Sequence, residues 1–151
     1  MMVELSKKSV LKACKSVLAE KMSAIQFEIE NLKEAAQQET KSSMGDKYET
    51  VREIMMQEQS KLTDRLELLF NQVKILESIE LKKHTKIKLG SLVETDEAFF
   101  FISVALGMKE IEKKKVFFVS PLAPLVIKMI GKSKRESFVF NGKKHTILSV
   151  D

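Results

Sequence analysis

Apolar residues fall on a heptad from Leu11 onward. Leu11, Leu18, Ile25 and Leu32 recur every seven positions, and Met22, Ile29 and Ala36 fill the interleaved row. The pattern returns after Gly45, the only glycine of residues 1–84, with Met55, Leu62, Leu69 and Leu76 on one row and Leu66 and Val73 on the other. Neither stretch contains proline, so each predicts one unbroken helix of roughly 30 residues, about 45 Å long at the α-helical rise. Between them the polar, small run Gln37 to Gly45 (QQETKSSMG) suits a reversal of direction. Two apolar stripes joined by a turn predict an antiparallel coiled-coil hairpin.

After Lys82-Lys83-His84 the helical period gives way to short β-rich runs, and the domain boundary is expected there. Residues 1–84 form the arm, with an acidic tip near 45–49, and residues 85–151 a small compact unit. In that unit 87–95 reads as a strand, Asp96-Glu97 as a turn, 98–106 as an apolar strand holding three consecutive Phe, and 116–119 as a third strand. Residues 121–130 read as a short helix ended by Gly131, with Leu122, Leu125, Val126, Met129 and Ile130 on its core face. Asn141-Gly142 joins strands over 137–140 and 143–150 as a hairpin. The expected class is α+β. A unit of this size is near the lower limit for an independent core, so packing against the arm's base is expected to help.

Composition narrows the class further. Hydrophobic residues at 44% and charged residues at 31% exclude an acidic disordered chain and a membrane protein as first readings. The longest apolar run, 98–108, is broken by Ser103 and Gly107 and falls short of the ~20 residues of a membrane span. Lys7, Lys8, Lys12 and Lys15 stand where a signal peptide needs an apolar core, so a cytoplasmic protein is expected. Cys14 is alone, which forbids an intrachain disulfide, and two histidines do not make a zinc quartet.

The net charge of +5 is unevenly placed. Residues 1–84 hold 14 Lys/Arg and 14 Asp/Glu, and residues 85–151 hold 12 Lys/Arg against 7 Asp/Glu, the whole excess. Within the arm, Glu34 to Glu58 is net −3, so a neutral arm has an acidic end. Lys113-Lys114-Lys115 and 132–135 (KSKR) read as solvated loops or as contacts to RNA or an acidic partner. One of Phe99 to Phe101 is expected to point away from the core and to be available for contact.

No phosphate loop, nucleophile elbow or paired-histidine motif is present. The suggestive constellation is Gly45-Asp46-Lys47-Tyr48-Glu49, with two carboxylates three residues apart on one face at the start of the second helix. Acids there cap free backbone amides and suit the helix dipole. An exposed carboxylate at the end of an arm can also reach a metal ion presented by a partner. The spacing alone is compatible with both roles.

Two separated motifs give the chain a family likeness. Gly45, Asp46 and Glu49, continuing to Glu58-Gln59, and Ser120-Pro121-Leu122 leading to Ile130-Gly131-Lys132, stand in the order found in the Gre transcript-cleavage factors (GreA/GreB), which the whole chain resembles. Lys47, Thr50 and Val51-Arg52-Glu53 depart from that pattern around the tip, and Val119 stands where a polar residue usually precedes Ser-Pro. The resemblance implies an FKBP-like fold for 85–151, docking on bacterial RNA polymerase through Ser120, Pro121 and Leu122, and entry of the arm into the polymerase's secondary channel. It implies that Asp46 and Glu49 act there as catalytic acids beside the nascent RNA, supporting a polymerase-held Mg²⁺ while the polymerase cuts its own transcript. On this reading the protein is no enzyme itself. It binds no cofactor tightly, shares Mg²⁺ with RNA polymerase, takes no small-molecule substrate, meets no membrane, and belongs to a DNA-associated class.

Two rival readings remain. The altered flank of the tip suits a channel binder that regulates or inhibits the polymerase without promoting cleavage, and the heptads alone would suit a coiled-coil interaction protein.

Overall fold

The computed structural model describes residues 5–42 and 46–151. Two long helices, α1 (Lys7–Ser42) and α2 (Asp46–Glu77), precede six strands and one short helix, an α+β fold in the order expected. The strands are β1 (Leu92–Thr95), β2 (Phe99–Ile102), β3 (Gly107–Ile111), β4 (Lys114–Val119), β5 (Ser137–Phe140) and β6 (Lys143–Val150), with α3 (Pro124–Met129) between β4 and β5. Among the described residues no helix is long and apolar enough to cross a membrane.

By compactness the chain divides into residues 18–72 and a second unit of 1–17 with 73–151. The expected boundary at residue 84 lies between the end of α2 at Glu77 and the start of β1 at Leu92. The compact division falls earlier in the chain, and the base of α1 packs with the sheet through Cys14 and Lys7.

In the helical unit the heptad positions carry the pairing. Met22, Ile25, Leu32 and Ala36 are half-buried and Ile29 is buried on α1, opposite half-buried Met55, Leu62, Leu66 and Leu69 on α2. Two helices alone cannot cover their seam completely, which is why it is half-buried. Glu28, Asn31 and Leu32 line one groove with Glu58, Leu62 and Arg65, as antiparallel partners must. α1 continues through 37–42, where a turn was expected. Gln, Glu and Lys are good helix formers, so their polarity does not mark a break. Residues 43–45, the rest of the expected turn, lie outside the described residues.

In the sheet unit the strand order is β3-β4-β2-β1-β6-β5. β2 and β4 pair in parallel, Phe99 opposite Val116 through Ile102 opposite Val119, and the other pairs are antiparallel. One face carries Val93, Phe100, Ile102, Ile147 and Phe138 against Val126 and Met129 of α3. Phe101 alternates to the opposite face, where its ring meets Phe118 edge-on. Beyond it Ser103 contacts Cys14 of α1. The expected outward Phe is therefore absent: Phe100 and Phe101 are buried, and Phe99 is half-buried with the Lys114 ammonium 5.3 Å above its ring. A sheet covered on both faces has room for consecutive apolar residues.

Lys7 and Gly90 secure the base of this unit. The buried Lys7 ammonium donates to the carbonyls of Lys82, at 2.5 Å, and Asp151, at 3.2 Å, which satisfies a cation held away from water. Gly90 has φ +91°, and a Cβ there would lie 3.2 Å from Ile79 Cγ2. The backbone demands glycine, and the space beside Ile79 is tight for anything larger.

Candidate functional site

The residues singled out by sequence fall in different units. Ser120, Pro121 and Leu122 belong to the sheet unit, and Asp46 and Glu49 to the helical pair.

β4 ends at Val119, whose carbonyl accepts from the Ser103 amide at 2.7 Å. The chain then closes on itself. The Ser120 carbonyl accepts the Ala123 N–H at 3.0 Å, and the Ser120 hydroxyl accepts the Leu122 N–H at 3.1 Å. Pro121 occupies the second position of this four-residue turn, where a φ fixed near −65° is already correct. Three constraints thus hold a short loop, and Leu122 at its apex is 82% exposed.

The expected helix start at Pro121 is corrected to Pro124. Ala123 is extended, with ψ 138°, as a residue before proline prefers, and Pro124 takes the first helical turn. The expected core face changes with it. Val126 and Met129 are buried, whereas Leu122 lies off the helix and Ile130 is 41% exposed. Ile127, not singled out from the sequence, is exposed three positions before Ile130. Gly131 ends the element at φ +82°, and its N–H donates to the Ile87 carbonyl at 2.8 Å.

At the other candidate site Asp46 opens α2, which places it and Glu49 at the positive end of a 32-residue helix. Gly45 and the side chains of Asp46, Lys47 and Tyr48 lie outside the described residues. Glu49 is exposed and lines a shallow depression with Arg52, Glu53 and Met56. Oxygen donors of this kind suit Mg²⁺, but two carboxylates are too few for its octahedral shell, so the remaining ligands would have to come from a partner. Among the described residues no three His, Cys, Asp or Glu cluster as a metal site.

The two histidines have local partners. His84 Nδ1 lies 2.7 Å from the Ser91 hydroxyl, and its pKa is lowered by burial first and then by Lys7 and Lys88. His145 stacks on Phe138 with ring centres 5.1 Å apart.

No family model matches the chain, and no curated protein does. Among solved structures the chain is similar to the GreA factor homolog 1 (Gfh1) protein of Thermus thermophilus, with a TM-score of 0.34, 15% identity, 89% of this chain and 92% of that one covered. It is similar also to a structure described as the transcription factor Gfh1, with a TM-score of 0.36, 17% identity and 99% of each chain covered. At scores and identities this low, neither likeness carries a conclusion about this chain.

Proposed function

We propose that the protein is a transcription elongation factor of Gre type. Its sheet unit docks on RNA polymerase through the Ser120–Leu122 turn, and its helical pair brings Asp46 and Glu49 to the polymerase's active site through the secondary channel. The observation that carries the reading is the presence of two features in one chain: an exposed apolar residue, Leu122, at the apex of a constrained turn, and acids in the first turn of a long helix. Each stands where the Gre resemblance puts its motif.

In this role Asp46 and Glu49 would complete the ligand shell of a Mg²⁺ held by the polymerase. That ion, when bound, supplies charge stabilisation and an activated water for phosphodiester hydrolysis. The chain's own residues bind, position and orient. The partners are RNA polymerase and the nascent RNA at the tip, and the location is cytoplasmic.

Purified elongation complexes, stalled and backtracked, test the reading. Added protein should shorten the labelled transcript from its 3′ end, and no shortening at saturating protein rejects it as a cleavage factor. A second reading is favoured by Arg52, exposed three residues beyond Glu49, which places a cation beside that acid. A factor built this way would occupy the channel and slow elongation without cleavage, and the same assay separates the two.

A further inference from the structure

The net charge of +5 is concentrated in two short segments. Residues 85–89 and 128–136 contain six cations, Lys86, Lys88, Lys128, Lys132, Lys134 and Arg135, against one acid, Glu136. Elsewhere in 85–151 six Lys meet six Asp and Glu, and residues 1–84 balance, so these segments hold the entire excess.

The fold brings the two segments side by side. The Ile87 N–H donates to the Lys132 carbonyl at 2.9 Å, the Gly131 N–H to the Ile87 carbonyl at 2.8 Å, and Lys86 faces Ser133 in an antiparallel bridge. Ile87 is 1% exposed while Lys86 and Lys88 on either side are exposed, so alternation turns both lysines outward. Arg135 is tied down by its N–H to the Ile147 carbonyl at 2.8 Å and holds φ +77°. A non-glycine residue keeps such a conformation only where its surroundings enforce it.

Three other lysines of the unit have local work: Lys82 pairs with Glu80, Lys143 with Glu97, and Lys114 covers Phe99. Among the described residues none of the six clustered cations makes an ion pair within 4.0 Å, and only Lys88 acts at longer range on an acid, Glu80. A dipole role at the end of α3 accounts for Lys128 alone.

The composition of the cluster selects its ligand. Protein interfaces are depleted in lysine at their centres, whereas dispersed Lys and Arg are what a phosphodiester backbone requires. The two segments contain no aromatic residue, so unpaired bases have nothing to stack on. We infer that this face binds the phosphate backbone of a nucleic-acid duplex without reading its sequence. The inference does not rest on the proposed polymerase role.

Fluorescence anisotropy of the full chain with a labelled random-sequence duplex tests it, one arm with DNA and one with RNA. Binding of either duplex should weaken with salt, its logarithmic slope rising in magnitude by about 0.9 per phosphate neutralised. The variant Lys86→Gln/Lys132→Gln/Lys134→Gln should bind roughly tenfold more weakly with a slope smaller by about 2 to 3. The control Lys113→Gln/Lys115→Gln/Lys144→Gln removes equal charge elsewhere and should bind as the parent does. Three results overturn the inference: no duplex binding at low salt, equal loss in both variants, or displacement by polyglutamate as readily as by unlabelled duplex. Circular dichroism checks folding, and if the triple variant unfolds, the Lys134→Gln change in salt slope decides.

Discussion

Cys14 Sγ lies 3.9 Å from Ser103 Oγ, joining the first helix to the end of β2 across 89 residues of sequence. Both residues are buried. Burial pushes the thiol up to about 11, and the Ser103 hydroxyl only partly opposes that.

The pH dependence of stability follows from this burial. A thiol whose pKa is raised on folding, from 9.0 to about 11, binds its proton more tightly in the folded state. Its contribution is complete below pH 9 and is lost as pH rises through 11. Lys7 acts with the opposite sign, because burial lowers its pKa and its penalty is relieved as pH rises toward 10.5. Urea unfolding of the parent and of Cys14→Ala at a series of alkaline pH values isolates the thiol. The parent should lose on the order of 1–2 kcal/mol more than the variant across that range. Ellman's reagent at pH 8 should label Cys14 slowly in the folded protein and at once in urea.

The same contact predicts that residues 85–151 do not form a stable domain alone. Deleting 1–84 removes Val10, Leu11, Cys14 and Leu76, each no more than 7% exposed in the full chain. At about 1.5–3 kcal/mol for each large buried side chain, the loss rivals the 5–15 kcal/mol stability of a whole domain. Circular dichroism and urea titration of the fragment should show little or no cooperative transition. A transition at the full chain's midpoint would make the sheet self-sufficient.

What the sequence revealed and concealed follows from where each signal originates. The heptads were legible because a half-buried seam imposes period on every turn, and Asn141-Gly142 because a two-residue hairpin needs positive φ, which Asn141 adopts at 52°. β3 was missed for the converse reasons. It is an edge strand whose residues are exposed or half-buried, so it shows no strong alternation, and its turn into β4 places Glu112 and Lys113, neither a usual turn residue, at φ 52° and 67°. In the sequence the helix start reads as Pro121 because proline suits a first helical turn, whereas the Ser120 hydroxyl and carbonyl close a turn there and the helix starts at Pro124. The tip acids stand out by their spacing alone, which the start of α2 at Asp46 leaves compatible with both capping and metal support, because ligands supplied by a partner would leave no trace in this sequence.

At the tip, capping and metal support predict different outcomes for one double substitution. Asn replaces Asp as a cap with little loss, and Gln keeps the shape of Glu, so Asp46→Asn/Glu49→Gln should hardly change the melting temperature. If the acids support a Mg²⁺, polymerase binding should persist while stimulated cleavage falls by at least about 10-fold. Unchanged cleavage with both charges gone would leave the acids a purely structural role.

The Ser120 turn separates shape from contact in docking. Leu122→Ala removes an apolar side chain that is 82% exposed, so stability should change by less than about 0.5 kcal/mol. Ser120→Ala instead removes the hydroxyl that accepts the Leu122 N–H, which loosens the turn while leaving Leu122 in place. If the apex docks in a preformed shape, both variants should bind polymerase more weakly. Leu122→Ala should lose about 1–2 kcal/mol of affinity through faster dissociation, and Ser120→Ala a smaller amount through the cost of ordering the loop. Surface plasmon resonance on immobilised core polymerase measures both rates. Parent-like binding by Leu122→Ala, in a protein with the parent's circular dichroism spectrum, would remove Leu122 from the interface and move the search for the docking surface to Ile127 on α3 and Ile130 just beyond its end.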